Sequence, residues 1–245
     1  MSLRVSTATA RRVLAQLRHD RRTLALLFAV PVLLLVLLKA VYQDHPAVFD
    51  RVGGPLLALF PFITMFLVTS VAMLRERTSG TLERLLSMPM GKADLLAGYA
   101  LAFGLMAVLQ TLLASAVALG PLGLLVAAPP WAVIVLAVLD ALLGTALGLL
   151  LSAFARTEFQ AVQFLPAVII PQLLLCGLIS PRAGMAPLLR RLSQLLPLTY
   201  AVDGMQRLAN SEGIDGLEVR DAAVVAGCTI AALLLGAVSL RRRTP

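Results

Sequence analysis

The sequence predicts an all-α membrane protein. It has six transmembrane helices, both termini on the cytoplasmic side, an amphipathic N-terminal interface helix, and short re-entrant outer helices between the fifth and sixth spans. Three observations lead there. Of the 245 residues, 59% are hydrophobic and only 14% are charged, with a mean hydropathy of +0.90; soluble domains carry about 25% charged residues. Six apolar runs are long enough to cross a hydrocarbon core of about 30 Å, which takes roughly 20 helical residues. The excess of positive charge, formally +8, is distributed unevenly between the segments that join those runs.

Before the first apolar run lies "STATARRVLAQLRHDRR". Ala10, Val13, Leu14 and Leu17 fall on one helical face, and Arg11, Arg12, Gln16, Arg18 and His19 fall elsewhere. A basic amphipathic helix of this kind suits the membrane interface, and residues 1–22 form that segment; the plain alternative is a solvated tail carrying positive-inside charge. The run that follows is too long for the h-region of a signal peptide, about 7–15 residues, and no small-residue cleavage site follows it. The spans are expected at 23–41, 54–74, 95–119, 132–153, 161–180 and 222–240, so 23–245 reads as one six-span domain. Pro166 and Pro171 interrupt the fifth run. Prolines are tolerated in spans whose neighbours satisfy the freed carbonyls, so a helix is expected there too.

Orientation follows from Lys and Arg. With the N-terminus inside, 14 of the 21 basic residues lie in inner segments, the last of them Arg241, Arg242 and Arg243. The outer segments hold six, together with seven acids, and Lys39 can snorkel from the outer end of span one. Both termini are therefore expected in the cytoplasm, which agrees with the even span count.

Between spans two and three lies the charged stretch "LRERTSGTLERLLSMPMGKADLL", whose loop is 75–94. Ser79 can cap a helix whose stripe is Leu82, Leu85 and Leu86, with Glu83 and Arg84 pointing away. Pro89 disfavours helix at Met88. The outer segment 181–221 is punctuated by Pro181, Pro187 and Pro197. Two short helices dipping into the outer leaflet, joined at Pro197, are expected; a surface-lying hairpin is the alternative.

Small-residue motifs occur at Gly144–Gly148 and at Ala223, Gly227 and Ala231; they fit close packing within the chain or, alternatively, dimerisation. Asp140 lies about 13 Å into span four. A carboxylate at such depth costs about 2.5–3.5 kcal/mol on insertion scales, so Asp140 is read as a pathway or proton-sensitive residue or as a hydrogen-bond partner between helices. Gln110, Gln163 and Gln172 carry the same two readings, and Phe60 and Phe66 either line an apolar path or pack.

Several classes are excluded. The chain has no basic module with interleaved aromatics, so no nucleic-acid role is expected. Cys176 and Cys228 show no metal spacing, and no metal site is expected. No HExxH, Ser/His pair or paired carboxylates lie in the spans, so no catalytic residue is assigned. An ATPase-independent secondary transporter is not excluded and stays as a further, less favoured alternative: it would need several deep ionisable residues, and only Asp140 lies deep.

Two segments carry a family resemblance. "RERTSGTLERLLSMPM" is similar to a segment of the form R-E-x-x-x-G-T-L-E-x-L-L-x-x-P, with Glu76, Gly80, Thr81, Leu82, Glu83, Leu85, Leu86 and Pro89 in place after Arg75. "LPLTYAVDG" resembles an outer pattern ending L-P-L-T-Y-A-x-[DE], matched at Pro197, Thr199, Tyr200 and Asp203. With the N-terminal helix, these features resemble the permease subunit of ABC-2 type transporters, a group of drug, polysaccharide and lipid exporters. The resemblance implies that Arg75 to Pro89 couples to an ATPase and that the N-terminal helix (Arg11, Arg12, Val13, Leu14, Leu17 and Arg18) is a second contact. It implies two cytoplasmic ATPase subunits carrying ATP and Mg, and a second permease copy or close paralogue. No G-x-x-x-x-G-K-[ST] occurs in this chain, so no cofactor is expected here and the phosphate-binding loop is expected on the partner. The expected substrate is hydrophobic or amphipathic, a drug, antibiotic or lipid moved outward; export of a polysaccharide or lipid-linked glycan is the alternative. The Ala/Leu/Arg-rich composition suggests a GC-rich bacterium, hence a cytoplasmic membrane.

Overall fold

The computed structural model describes residues 3–81 and 91–239. Leu82, Glu83, Arg84, Leu85, Leu86 and Pro89, and the terminal Arg241, Arg242 and Arg243, lie outside the described residues. Among the described residues the helices are α1 (Leu3–His19), α2 (Arg21–Val41), α3 (Pro46–Thr78), α4 (Lys92–Leu119), α5 (Pro130–Leu151), α6 (Glu158–Leu175), α7 (Pro187–Ser193), α8 (Pro197–Asn210) and α9 (Gly216–Ser239), with a 3₁₀ turn at Arg182–Gly184. Six of them, α2 to α6 and α9, are long and apolar enough to cross a membrane. No strand occurs among the described residues.

Local chemistry sets several boundaries. Asp20 separates α1 from α2 and caps α2, accepting from the Thr23 backbone N–H at 3.1 Å and from its hydroxyl at 2.6 Å. Pro46 and Pro130 sit in the first turns of α3 and α5, where their missing N–H costs nothing. Thr157 caps α6 by accepting from the Gln160 N–H at 3.2 Å. That helix runs unbroken through Pro166 and Pro171. It stops five residues earlier than the sequence pattern suggested, because Cys176 caps it and Gly177 takes a φ of 93°, which favours glycine. In the other direction, α3 begins eight residues before its expected span, so most of the short loop after span one is helix. Lys39 near the end of α2 stands 4.5 Å over the Phe49 ring of α3, so its charge is met within the chain.

The spans form an inner and an outer set. The most apolar stretches of α3, α4 and α5 are 50–61% buried, whereas those of α2, α6 and α9 are each 17% buried. The inner three therefore make the core, and the outer three present side chains such as Leu33, Leu174 and Leu234 outward. Between helices in lipid, association rests on close packing rather than on release of water. The α3–α5 contact, the most extensive pairing among the described residues, shows how. A Cβ built on Gly144 would come within 2.3 Å of the Phe62 carbonyl oxygen, and one on Gly148 within 2.5 Å of the Phe66 carbonyl oxygen. The Gly144–Gly148 motif thus packs inside the chain. Gly227 has nothing within 4 Å, and its neighbours Ala223 and Ala231 are exposed.

Candidate functional site

Polar side chains gather at the two ends of the bundle. At the α1 end, α1 lies on α4 in close backbone contact. A Cβ on Gly98 would meet the Thr9 side chain at 2.5 Å and the Ser6 carbonyl oxygen at 2.9 Å. The Ser6 hydroxyl donates to the Asp94 carbonyl at 3.1 Å. Val13 and Leu17 are buried beside Leu95, Tyr99 and Phe103, while Leu14 packs at the edge and Arg11 and Arg18 are exposed. Arg12 turns inward. Its guanidinium donates to the Tyr99 hydroxyl, lies 5.7 Å from that ring's centre and pairs with Glu76 at 3.5 Å. Glu76 is largely buried, with a 13% exposed side chain. The contact therefore sits in a lower dielectric than a surface ion pair and joins α1, α3 and α4. Next to it, Arg75 makes a two-pronged pair with Glu158 of α6, at 2.8 and 3.1 Å. Both side chains of that pair are more than half exposed, so it is worth about 0–1 kcal/mol.

The segment that follows α3 turns at Gly80, whose φ is 72°. An L side chain is disfavoured there, which accounts for glycine at this place in the motif. Ser79 closes α3, its hydroxyl donating to the Glu76 carbonyl at 3.3 Å and lying 3.0 Å from that of Thr81. Its expected role as the start of a further helix falls mainly on residues outside those described.

A cleft of about 640 Å³ opens between α1, α2, α3 and α4. Val13, Leu26, Leu27, Val30, Leu67, Val68, Val71 and Phe103 supply its apolar walls. Gln16, Asp20, Arg75, Glu76, Ser79 and Thr81 line its polar end, with Tyr99. The hydroxyl and backbone N–H of Thr23 hold the Asp20 carboxyl below the usual carboxylate range.

At the other end, Asp203 and Asp221 are the hubs of a network. Arg182 donates to Asp203; Arg207 donates to Asp221 and approaches Asp203 at 3.9 Å; Arg220 donates to Asp221 at 2.9 Å. The Asp221 side chain is fully buried. Burial pushes the Asp203 carboxyl up, and the Arg182 and Arg207 charges pull the other way. The network ties the turn after α6 to α8 and α9. Pro197 starts α8. Tyr200 donates to the Gln194 carbonyl at 2.7 Å, and Arg220 stands 5.9 Å from the centre of its ring. Thr199 is buried with its hydroxyl unpartnered. Main-chain bonds from Ala127 and Ala128 to the carbonyls of Ala209 and Leu208 fasten the α4–α5 loop to the end of α8.

The residues expected to line a path are not gathered in one place, and none lines the cleft. Phe66 is fully buried in the α3–α5 contact, and Phe60 is partly buried in a different cluster. Gln110 donates to Thr64, whose side chain does line the cleft; its own carbonyl oxygen has no partner. Gln163 is exposed. Gln172 is buried, donating to the Val168 carbonyl at 3.2 Å. Asp140 is fully enclosed, and neither carboxyl oxygen has a hydrogen-bond partner, so it does not bridge helices by hydrogen bonding.

Sequence reasoning passed over Tyr99, Gly98, Arg207 and Asp221. For Arg207 the i, i+4 spacing from Asp203 was available as a signal. For Gly98 and Tyr99 the partners come from α1, far away in the chain, and leave no local pattern; Asp221 has Arg220 beside it, but its second partner, Arg207, comes from α8.

Comparison with known proteins bears on both ends at once. The model of the ABC-2 type transporter family matches residues 4–208, from α1 through nearly all of α8. The curated "Probable multidrug ABC transporter permease YbhS" of Escherichia coli, strain K12, is 29% identical over 143 residues, as is its counterpart from strain O157:H7. Those residues are 58% of this chain and 38% of the relative, so the match spans well under half of the curated protein. A family match that takes in the docked N-terminal helix, the motif at the end of α3 and the Pro197–Asp203 segment, on a bundle of six membrane-crossing helices, leads to one conclusion: this chain belongs to the ABC-2 type transporter family, as a multi-pass membrane subunit of an ABC transporter.

Proposed function

We propose that the chain is the permease subunit of an ATP-driven exporter in a bacterial cytoplasmic membrane. It moves a hydrophobic or amphipathic substrate (a drug, antibiotic or lipid) outward, as a pair with a second copy or close paralogue. Two separate cytoplasmic ATPase subunits supply the energy. The observation that carries this reading is the Arg12–Glu76–Tyr99 junction. It makes α1, the end of α3 and the start of α4 one mechanical unit, at the end of the bundle where the Arg75–Pro89 motif departs. A push on that motif is then delivered to two inner helices and to α1 together. The basic residues of α1 and of the α3–α4 connection support placing this end in the cytoplasm. The relative's name supports a drug-like substrate.

The coupling reading has a direct test. Glu83→Lys is expected to abolish transport while the protein still inserts, and to reduce capture of the ATPase in a pull-down. Undiminished capture and export would remove the coupling role.

The polar interior gives a second test. Because Asp140 makes no hydrogen bond, Asp140→Asn breaks no contact and is expected to insert and melt like the parent. A change in the range of compounds exported then reports on the path itself. An unchanged panel, at normal expression, assigns Asp140 to packing alone.

A further inference from the structure

We propose that the cleft between α1, α2, α3 and α4 is a binding site for an amphipathic organic cation. The ligand carries an ammonium or phosphonium centre on a hydrophobic body, with its charge at Asp20 and its body between α2 and α3. This names a ligand class that the export reading leaves open among drugs, antibiotics and lipids. It rests on that reading only in making the cation a substrate. Binding itself needs no ATPase and is tested apart from transport.

The charges in and around the cleft decide the sign of the ligand. Two carboxylates line it, Asp20 and Glu76, and one arginine, Arg75. Arg75 is taken by Glu158 through two bonds, and Glu76 by Arg12. With those partners included, three carboxylates face two guanidiniums, and the carboxylate left over is Asp20. It is bonded to Thr23, a neutral residue, whose backbone N–H meets one oxygen and whose hydroxyl meets the other. Capping a helix in this way uses part of a carboxylate's acceptor capacity and none of its charge. The cation that bears on Asp20 is Arg75, already paired. Arg18 opens instead onto a separate surface depression with Arg11 and His19. Arg21 and Arg22 are exposed and do not line the cleft, so water screens them.

The rest of the cleft suits the body of such a molecule. Its volume, about 640 Å³, falls within the roughly 300–1,000 Å³ of small-ligand sites, which are mostly apolar with a few placed polar groups. The polar and apolar ends are separated. Along α3 the lining runs from Glu76 back to Thr64, about 18 Å at 1.5 Å per residue, and along α2 from Thr23 to Val30, about 10 Å. Leu27, Val30, Leu67 and Val68 occupy the stretch away from Asp20. Phe103 adds an aromatic wall, its ring stacked on Tyr99 with centres 6.4 Å apart. That aromatic pair already holds one cation, Arg12 over Tyr99. An anion would meet Asp20 uncompensated, and a neutral body would gain nothing from it, so the same carboxylate both attracts and rejects.

The test is equilibrium dialysis of the full chain in phosphatidylcholine nanodiscs, with empty nanodiscs as background. The probes are radiolabelled tetraphenylphosphonium and tetraphenylborate, ions of nearly the same size and opposite charge. The parent is expected to bind the phosphonium saturably, about five-fold or more tightly than the borate. Asp20→Asn keeps an N-cap of equal rank and removes the charge. It should melt like the parent and bind the phosphonium about five-fold more weakly, the size of one solvated charge contact. Val68→Trp fills the apolar stretch and should weaken binding by at least the same factor. Equal binding of the two ions by the parent overturns the proposal, as does phosphonium binding undiminished by either substitution. Should a variant fail to insert, an aryl-azide phosphonium decides on the parent protein. Labelling concentrated on 23–30 and 64–76 supports the site, and labelling spread over the outward faces of α6 and α9 overturns it.

Discussion

Gly148→Leu is expected to leave almost no folded protein. The added side chain would begin 2.0 Å from the Thr69 hydroxyl and 2.5 Å from the Phe66 carbonyl oxygen. The hydroxyl could rotate, but the carbonyl belongs to the backbone of α3 and cannot yield without moving the helix. Thr69 itself is held by bonds to the Met65 carbonyl at 2.6 Å and the Thr145 carbonyl at 3.4 Å, so relieving one clash disturbs a second contact with α5. Overpacking typically costs 1–3 kcal/mol, and more where the obstruction is backbone. Here it also separates the two inner helices whose close approach replaces the hydrophobic effect as the source of association in lipid. Gly227→Leu, with nothing within 4 Å of the new Cβ, should express and melt like the parent. Monodisperse yield in detergent and the thermal midpoint of the two variants are the comparison. Parental yield for Gly148→Leu would show that the α3–α5 contact is not as close as described.

The contrast between those glycines shows what the sequence disclosed and what it withheld. Both small-residue motifs had the spacing for close helix contact, and nothing local distinguished the one that packs inside the chain from the one that faces outward. The difference lies in which helix comes to each, and that depends on the whole topology. The six spans were legible because a bilayer imposes a length and a polarity on every crossing segment. Their ends were less so. Hydropathy ran on past Leu175 into "CGLIS", whereas the helix stops where Gly177 takes a left-handed conformation. The reverse happened at Pro46, where a polar stretch read as loop is the first turn of a 33-residue helix. The functional ends were half legible. Composition and spacing exposed the apolar face of α1 and the charges of the Arg75–Pro89 motif. The inward turn of Arg12 onto Glu76 was not visible, because a basic residue on an amphipathic helix reads as solvent-facing until its partner is known. Asp203 stood out through its motif, but its role as a hub became clear only with Arg182 and Arg207 beside it.

The docking of α1 yields the second large effect, this time on transport rather than on folding. Gly98→Leu drives a side chain into Thr9 and the Ser6 carbonyl and should lift α1 off α4. The Arg12–Tyr99 bond begins at the next residue of α4, so the same displacement also breaks the polar junction. The α3–α5 contact does not involve α1, and on α3 the displacement costs only the Arg12 partner of Glu76. Insertion and yield are therefore expected to stay near parental while transport falls to background. Accessibility reads the displacement directly. With Cys176 and Cys228 replaced by alanine, Val13→Cys should resist a water-soluble maleimide, since Val13 is 3% exposed, and should react at once when combined with Gly98→Leu. A compensating pair separates displacement from unrelated damage. Gly98→Ala places one methyl against Thr9, and Thr9→Gly removes that clash, leaving the Ser6 oxygen at 2.9 Å as the remaining constraint. The glycine costs about 1 kcal/mol of helix propensity in α1, so Thr9→Gly alone should be mildly impaired. The double variant should transport better than Gly98→Ala, a non-additivity expected of residues in direct contact. If Gly98→Leu transports like the parent while Val13→Cys becomes reactive, α1 is dispensable for coupling. The push from the ATPase would then enter through the Arg75–Pro89 motif alone.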